Sequence, residues 1–344
     1  MKKTLSVVLA AVLLVFTLGL ASCGESAPKL PIVCGEIGMN DLCGVATYGV
    51  DYYSLGVKAG DMAADVLLGV SEISTMSVQM DPNPTLVVNP TVAEEIGFAI
   101  PESVSSKATG ASTQKVTRVT SAIVESGADF EVGILQLVQH VALDQSNEGF
   151  VDQLSVRMNA AGKTVKIDNQ NASNDTNNNI TIANTFVSKG YDLIYTIATS
   201  SSQAAAEATK ESKIPVIFNA VTDPVSAGLV ASMDAPGANV SGVSDINPVA
   251  KQIELIKDLT GKDSIKVGLL YTAAETNSVF QINMAKEYCN ANNCTYVDKG
   301  ITDINDLRAT IQALANEGVD AIYIPTDNAI ANACATVHLV NLGE

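Results

Sequence analysis

The sequence predicts an α/β protein of two doubly wound parallel-sheet lobes joined by a hinge. From residue 130 onward, short β-rich apolar runs alternate with longer helical patterns, the order expected of parallel strands covered by helices. The alternation comes in two series, which meet near residue 247. A chain of 344 residues is also long for one domain of roughly 150 residues and suits two.

In the first series, Val132 to Val138 reads as a strand and 144–160 as a helix. Val165 to Asp168 is a strand followed by a helix at 176–189, and Leu193 to Ala198 a strand followed by a helix at 201–210. Val216 to Ala220 and Val240 to Val243 complete it as strands. A helix at 248–260 leads into the second series. There, strands are expected near Ile265 to Tyr271, Thr295 to Val297 and Ala321 to Ile324, with helices near 276–290, 303–317 and 328–341. The lobes are therefore expected at 130–246 and 247–344.

The front of the chain is harder to place. Residues 31–104 contain an initial strand, a helix near 52–68 and a short strand from Leu86 to Asn89, but no complete core. Residues 103–129, rich in Ser, Thr, Gly and Ala without a sustained period, read as a linker. At the start, Lys2 and Lys3 precede the apolar run Leu5 to Leu20, and Leu20-Ala21-Ser22-Cys23 follows. That pattern predicts a secretory signal over residues 1–22, cleaved before Cys23. Cys23 would carry lipid, with residues 23–30 a tether to the outer face of the cell membrane or within the periplasm.

Composition excludes several functions. With 20 Lys and Arg against 37 Asp and Glu, the net charge of −17 argues against nucleic acid, whose phosphates demand cations. Apart from Cys23 the cysteines are Cys34, Cys43, Cys289, Cys294 and Cys334, an odd set without paired zinc spacing, so no metal is expected. A Cys289 to Cys294 bridge is compatible with the spacing but not required by it. Gly162-Lys163-Thr164 ends like a phosphate loop, but Arg157 stands where its first glycine belongs. No dinucleotide fingerprint, zinc-protease motif or nucleophile elbow occurs, and His140 and His338 are the only histidines. The sequence therefore predicts neither an enzyme nor a cofactor. The Asn-rich run 169–179 lacks the glycine and terminal Glu of a calcium loop and reads as a surface loop.

In open α/β sheets ligands sit beyond the carboxyl ends of the strands, where helix amino termini present free N–H groups. Thr199, Ser200 and Ser201 stand at such a junction and suit a carboxylate, with N-capping as the plainer role. Asp223 and Asp327 follow strands of opposite lobes and would accept from an ammonium or cap the next helix. Glu36 and Asp51 stand at strand ends of the front segment, with solvated turn carboxylates as the alternative. Asn277 and Ser278 open a helix after Tyr271, and Gln136 and His140 lie where the first strand gives way to a loop.

Several stretches together resemble the ABC-transporter substrate-binding proteins whose better-understood members take up tryptophan, phenylalanine or tyrosine. They are Val132-Gly-Ile-Leu-Gln-Leu-Val-Gln-His140 with Ala142-Leu-Asp144, Ile197-Ala-Thr-Ser-Ser-Ser-Gln203, and Asn219-Ala-Val-Thr-Asp-Pro-Val-Ser-Ala-Gly-Leu229. Tyr271-Thr-Ala-Ala-Glu-Thr-Asn-Ser278, Pro325-Thr-Asp-Asn328, Gly35-Glu36 and Ala46-Thr-Tyr-Gly-Val-Asp-Tyr-Tyr53 also match. The resemblance implies a type I periplasmic-binding-protein fold. It further implies a monomeric receptor that closes on an aromatic amino acid and delivers it to an ABC permease and its ATPase. Spacing alone leaves open a purine, a sugar, another amino acid or a non-transporting sensor lipoprotein. One departure is large: in that family the segments resembling 31–104 come last, so this chain looks circularly permuted, with 31–104 completing the second lobe.

Overall fold

The computed structural model describes residues 29–110 and 114–343. The signal, Cys23 and most of the tether lie outside the described residues. The front segment supplies strand β1 (Ile32–Cys34), helix α1 (Ile37–Cys43), β2 (Ala46–Gly49), α2 (Tyr52–Leu67), β3 (Gln79–Met80), β4 (Thr85–Val88), α3 (Pro90–Glu95) and α4 (Glu102–Ser105). The first series follows with β5 (Phe130–Gln136), α5 (Val141–Ala160), β6 (Val165–Asn171), α6 (Thr176–Lys189), β7 (Leu193–Ile197), α7 (Thr199–Ala208), β8 (Val216–Asn219) and β9 (Val240–Ser244). The second contains α8 (Val249–Thr260), β10 (Ile265–Thr272), α9 (Thr276–Ala291), β11 (Cys294–Ile301), α10 (Leu307–Asn316), β12 (Ala321–Ile324), α11 (Asn328–Asn332) and α12 (Cys334–Leu342).

Two six-stranded sheets result, one ordered β3-β9-β8-β7-β5-β6 and the other β11-β10-β12-β1-β2-β4. All pairs are parallel except β2 with β4. Central strands such as Leu193–Ile197 and Ala321–Ile324 are buried at every position, because helices cover both faces. This is why they read as unbroken apolar runs rather than alternating ones. The α/β class and the doubly wound parallel sheets expected from sequence are thus present in both lobes.

Residues 31–104 do not all join the second lobe, as the sequence had suggested. Strands β1, β2 and β4 do, but α2 crosses to the first lobe and lies along α5. Leu55, Ala59 and Met62 share one apolar cluster there with Phe150 and Leu154. The approach is close because glycines face each other: a Cβ on Gly149 would lie 2.2 Å from the Tyr53 carbonyl oxygen, and one on Gly56 would lie 2.2 Å from that of Ser146. Strand β3 then pairs with β9 before the chain returns to pair β4 with β2.

The stretch read as a linker is largely pinned. Val116 N donates to the Tyr53 hydroxyl at 2.7 Å, Arg118 Nε to Asp152 at 2.6 Å and Val119 N to Ser155 Oγ at 2.9 Å. Val124 N reaches Val165 O at 3.0 Å, and residues 102–105 are helical. Polar composition alone did not reveal these partners, which come from α2, α5 and β6. Two smaller differences are confined to short stretches of chain. The helix expected at 328–341 breaks at Ala333, and part of the Asn-rich run belongs to β6 and α6, where Asn179 is buried.

The described ends meet. Leu30 N donates to Asn341 Oδ1 at 2.9 Å, and Asn341 Nδ2 donates to Leu30 O at 2.8 Å. The buried Asn341 amide, at the end of α12, thereby satisfies both backbone polar groups of Leu30, just before β1.

Candidate functional site

The carboxyl ends of both sheets face one another across a cleft. From the second lobe, Glu36, Met39, Asn277, Thr326, Asp327, Asn328 and Ala331 line a cavity whose other wall is Tyr52, His140, Leu143, Ala220 and Asp245. Its free space is about 10 Å³. One water needs roughly 10–15 Å³ on the same measure, so the lobes are shut on each other.

Polar contacts cross the closed cleft. Gln281 Nε2 donates to Thr326 Oγ1 within its own lobe and reaches Thr222 Oγ1 of the other at 3.4 Å; the two threonine hydroxyls are also 3.4 Å apart. His140 Nε2 lies 3.3 Å from Asn328 Oδ1. A second small cavity, on the far side of Asn277, is lined by Thr199, Asp223, Ser226 and Ala227 against Thr276, Asn277 and Phe280.

The first cavity is acidic without a cation. Glu36 is 2% exposed, and its carboxylate accepts from Gly38 N and from Met39 N, the latter at 2.6 Å. Burial pushes it up to about 7; the two backbone donors oppose the rise, and the charges of Asp41 and Asp245 add to it. Asp245 is also held high by burial, against hydrogen bonds from Tyr52 at 2.6 Å and Thr222 at 3.1 Å. Among the described residues, no Lys or Arg lines this cavity.

Asp327, expected to meet an ammonium or to cap the next helix, lines the same cavity and caps α11, with its oxygens engaged. They accept from Thr272 N and Oγ1, Ser278 Oγ and Ile330 N at 2.6–2.9 Å. Ser278 is therefore turned to Asp327 rather than to the cavity. Asn277 touches both cavities while donating to Thr326 O at 2.7 Å.

The remaining expected residues divide. Thr199 reaches the second cavity, and its buried hydroxyl has no partner among the described residues. Ser201 points into its own lobe, donating to Asn179 Oδ1 at 2.8 Å. Ser200 follows Thr199 in the first turn of α7 and lines neither cavity. Asp223 caps its own turn, accepting from Val225 N and Ser226 N at 3.1 Å. Asp51 caps α2 through Tyr53 N and Ser54 N. Gln136 donates to Val138 O and Asp144 and borders a separate polar depression on the first lobe.

Sequence reasoning missed Asp245, Tyr52 and Glu275. Asp245 directly follows β9, so the strand-end rule that selected Asp223 would have found it. Glu275 does not line the cavity; it accepts from Asn328 N at 3.0 Å, Asn328 Nδ2 at 2.8 Å and Ala329 N at 2.8 Å. Burial and then the charge of Asp327 push it up to about 7.

Residues 17–112 and 131–343 match the family model for ABC transporter substrate binding proteins. The chain belongs to that family. It is a family of solute-binding proteins rather than of enzymes, and its importer-associated members work outside the cytoplasm. A substrate-binding relative, the tyrosine-binding protein of Clostridioides difficile strain R20291, is 44% identical over 209 residues. That alignment takes in 61% of this chain and 59% of the relative, less than two thirds of its length.

Among solved structures, a Streptococcus pneumonia ABC domain in complex with L-Trp is 36% identical, with a TM-score of 0.54 over 63% of this chain and 72% of that one. A conserved domain protein from Vibrio cholerae is 32% identical, with a TM-score of 0.56 over 62% and 71%. These likenesses identify the type I periplasmic-binding-protein fold. No helix among the described residues is long and apolar enough to cross a membrane.

Proposed function

We propose that this protein is the extracytoplasmic solute receptor of an ABC importer, that it binds an aromatic α-amino acid between its lobes, and that closure presents it to a permease and its ATPase. The observation that carries the ligand class is the pair Glu36 and Asp245, buried in the cleft without a cation. Unpaired buried carboxylates are costly, and an ammonium would return both to the ionised state through charge-assisted hydrogen bonds. Met39, Leu143, Ala220 and Ala331 offer apolar wall for a side chain. The unpartnered Thr199 hydroxyl, at the start of α7, suits the ligand carboxylate. The names of the tyrosine- and Trp-binding relatives support an aromatic side chain. Since the closed cleft has room for at most about one water, entry requires the lobes to part by hinge motion.

Lipid on Cys23 would hold the receptor at the membrane as a monomer. The reading of a permuted chain order is supported by the contact of Leu30 with Asn341 and by a family match in two segments.

Calorimetry on residues 24–344, unfolded and refolded to strip carried ligand, tests the assignment. Saturable one-to-one binding of Tyr, Trp or Phe is expected, weakened roughly tenfold or more by Asp245→Asn. Preference for a purine or a sugar, or equal affinity for the desamino analogue 3-(4-hydroxyphenyl)propionate, would overturn it.

A further inference from the structure

We infer that His140 presents the bare lone pair of Nδ1 to the ligand, so that it selects solutes bearing a hydrogen-bond donor at that point of the cleft. The inference rests on the reading of the cleft as a small-molecule site and adds to it a named atom with a fixed role.

The chain of constraint starts at Glu275. Its Oε2 accepts the backbone N–H of Asn328 and therefore acts there as an acceptor; the same oxygen takes Asn328 Nδ2 at 2.8 Å. With its amide nitrogen committed, Asn328 must turn Oδ1 toward His140, whose Nε2 lies 3.3 Å away. A carbonyl oxygen can only accept, so Nε2 carries the hydrogen. Nδ1 of a neutral ring is then an acceptor. It is buried and has no partner among the described residues, while His140 itself lines the cavity. Burial holds the imidazole below its usual range against the opposing effects of Asn328 and Asp144, consistent with a neutral ring. An unsatisfied buried acceptor is costly, and a site built around one discriminates strongly against an analogue lacking the donor. His140 belongs to the first lobe and Asn328 to the second, so the tautomer is set by closure.

The shared chemistry is one donor hydrogen, supplied by the ligand's ammonium, by a phenol or by an indole N–H. Nitrogen-15 NMR of the imidazole in the refolded chain, with and without tyrosine, reads the tautomer directly: the Nε2–H form is expected, and an Nδ1–H form or an imidazolium at pH 7.5 overturns the inference. Calorimetry on His140→Gln, which can keep the Nε2-side donor and loses Nδ1, is compared with His140→Asn, which can place an oxygen near Nδ1. The ligand pairs are Tyr with Phe, Trp with 1-methyltryptophan, and Tyr with its desamino analogue.

A loss of roughly tenfold to a hundredfold in His140→Gln is expected only for ligands bearing the relevant donor, with most affinity restored in His140→Asn. The pair whose difference collapses identifies the donor. An equal loss across all ligands marks a structural role and overturns the inference, as does unchanged affinity. A wild-type chain that binds none of the panel sinks the amino-acid reading instead, while the NMR tautomer still reports on Nδ1.

Discussion

Tyr52 donates its hydroxyl hydrogen to Asp245 at 2.6 Å, tying the first turn of α2 to the residue after β9 where the chain crosses between lobes. Burial holds Asp245 above the ordinary carboxylate range, and this hydroxyl works against the rise. Tyr52→Phe keeps the ring and removes the donor, so Asp245 ionises less readily beside an ammonium. Affinity for the amino acid should fall roughly 3- to 30-fold. Calorimetry checks this, and an unchanged Kd would mean that Asp245 does not meet the ligand.

The acidic cleft should also impose a pH dependence on the ligand-free protein. Glu36 and Glu275 are each raised from an ordinary 4.5 to about 7, so the folded chain holds protons more tightly than the unfolded one. Stabilisation from this source is complete below about 4.5 and is lost as pH rises through 7. Unfolding free energy in urea should drop by on the order of 2–4 kcal/mol between pH 5.5 and pH 8. The lowered carboxylates Asp129 and Asp168 act in the opposite sense, but only as pH falls from 3.8 toward about 2, outside that window. Saturating ligand should flatten the slope by keeping Glu36 ionised. A flat profile without ligand would show that these carboxylates are solvated.

Strand-end position made Glu36, His140, Thr199 and Asp327 legible as residues near the cleft, because a parallel sheet puts all its carboxyl ends on one side. It could not tell a carboxylate that faces a cavity from one consumed by capping. Glu36, Asp51 and Asp327 each cap the helix that follows, but only Glu36 and Asp327 also line the cavity, and Asp327 is further taken up by Thr272 and Ser278. Thr272 and Ser278 lie 55 and 49 positions from Asp327 along the chain. The two-lobed α/β pattern was legible because apolar runs and helical patterns are local, whereas the crossing of α2 to the first lobe depends on glycines 93 positions apart, Gly56 and Gly149.

That glycine contact carries its own prediction. A Cβ at Gly149 would stand 2.2 Å from the Tyr53 carbonyl oxygen, a backbone atom that cannot rotate away. Gly149→Ala should cost about 2–4 kcal/mol, beyond the usual overpacking penalty, by forcing α2 off α5. Gly69, which has nothing within 4 Å of an added Cβ but a φ of 68°, is a useful comparison. Gly69→Ala should cost only about 1 kcal/mol through strain. Equal melting shifts would mean that the helices are not in contact.

Arg118 holds the pinned half of the linker through Asp152, with the guanidinium partly in solvent and the carboxylate nearly buried. Exposure of the arginine discounts the ion pair to roughly 1 kcal/mol. Arg118→Ala should therefore lower stability modestly but raise the rate of proteolysis between Lys107 and Arg118 several-fold, because Val116 and Val119 keep only their backbone anchors. Digestion followed by mass spectrometry reads both effects, and unchanged cleavage would show that those anchors suffice.

The five cysteines of the described chain are free and buried. Cys43 Sγ lies 3.3 Å from Cys334 Sγ, between α1 and α12, close enough for pairing in an oxidising compartment but enclosed by the second lobe's core. The contact with Cys43 and then burial hold the Cys334 thiol far above its ordinary range; burial also raises Cys34 and pushes Cys289 up to about 12. Since the thiolate is the reactive form, the folded chain at pH 8 should resist iodoacetamide for hours. In 6 M guanidinium residues 24–344 should take five alkyl groups, one at each cysteine after Cys23. Only three alkyl groups in the denatured sample, with a Cys43–Cys334 peptide in the digest, would instead show that the pair closes before the core seals it. Fast labelling of the native chain would place these thiols at the surface and contradict the packing of α12 on α1.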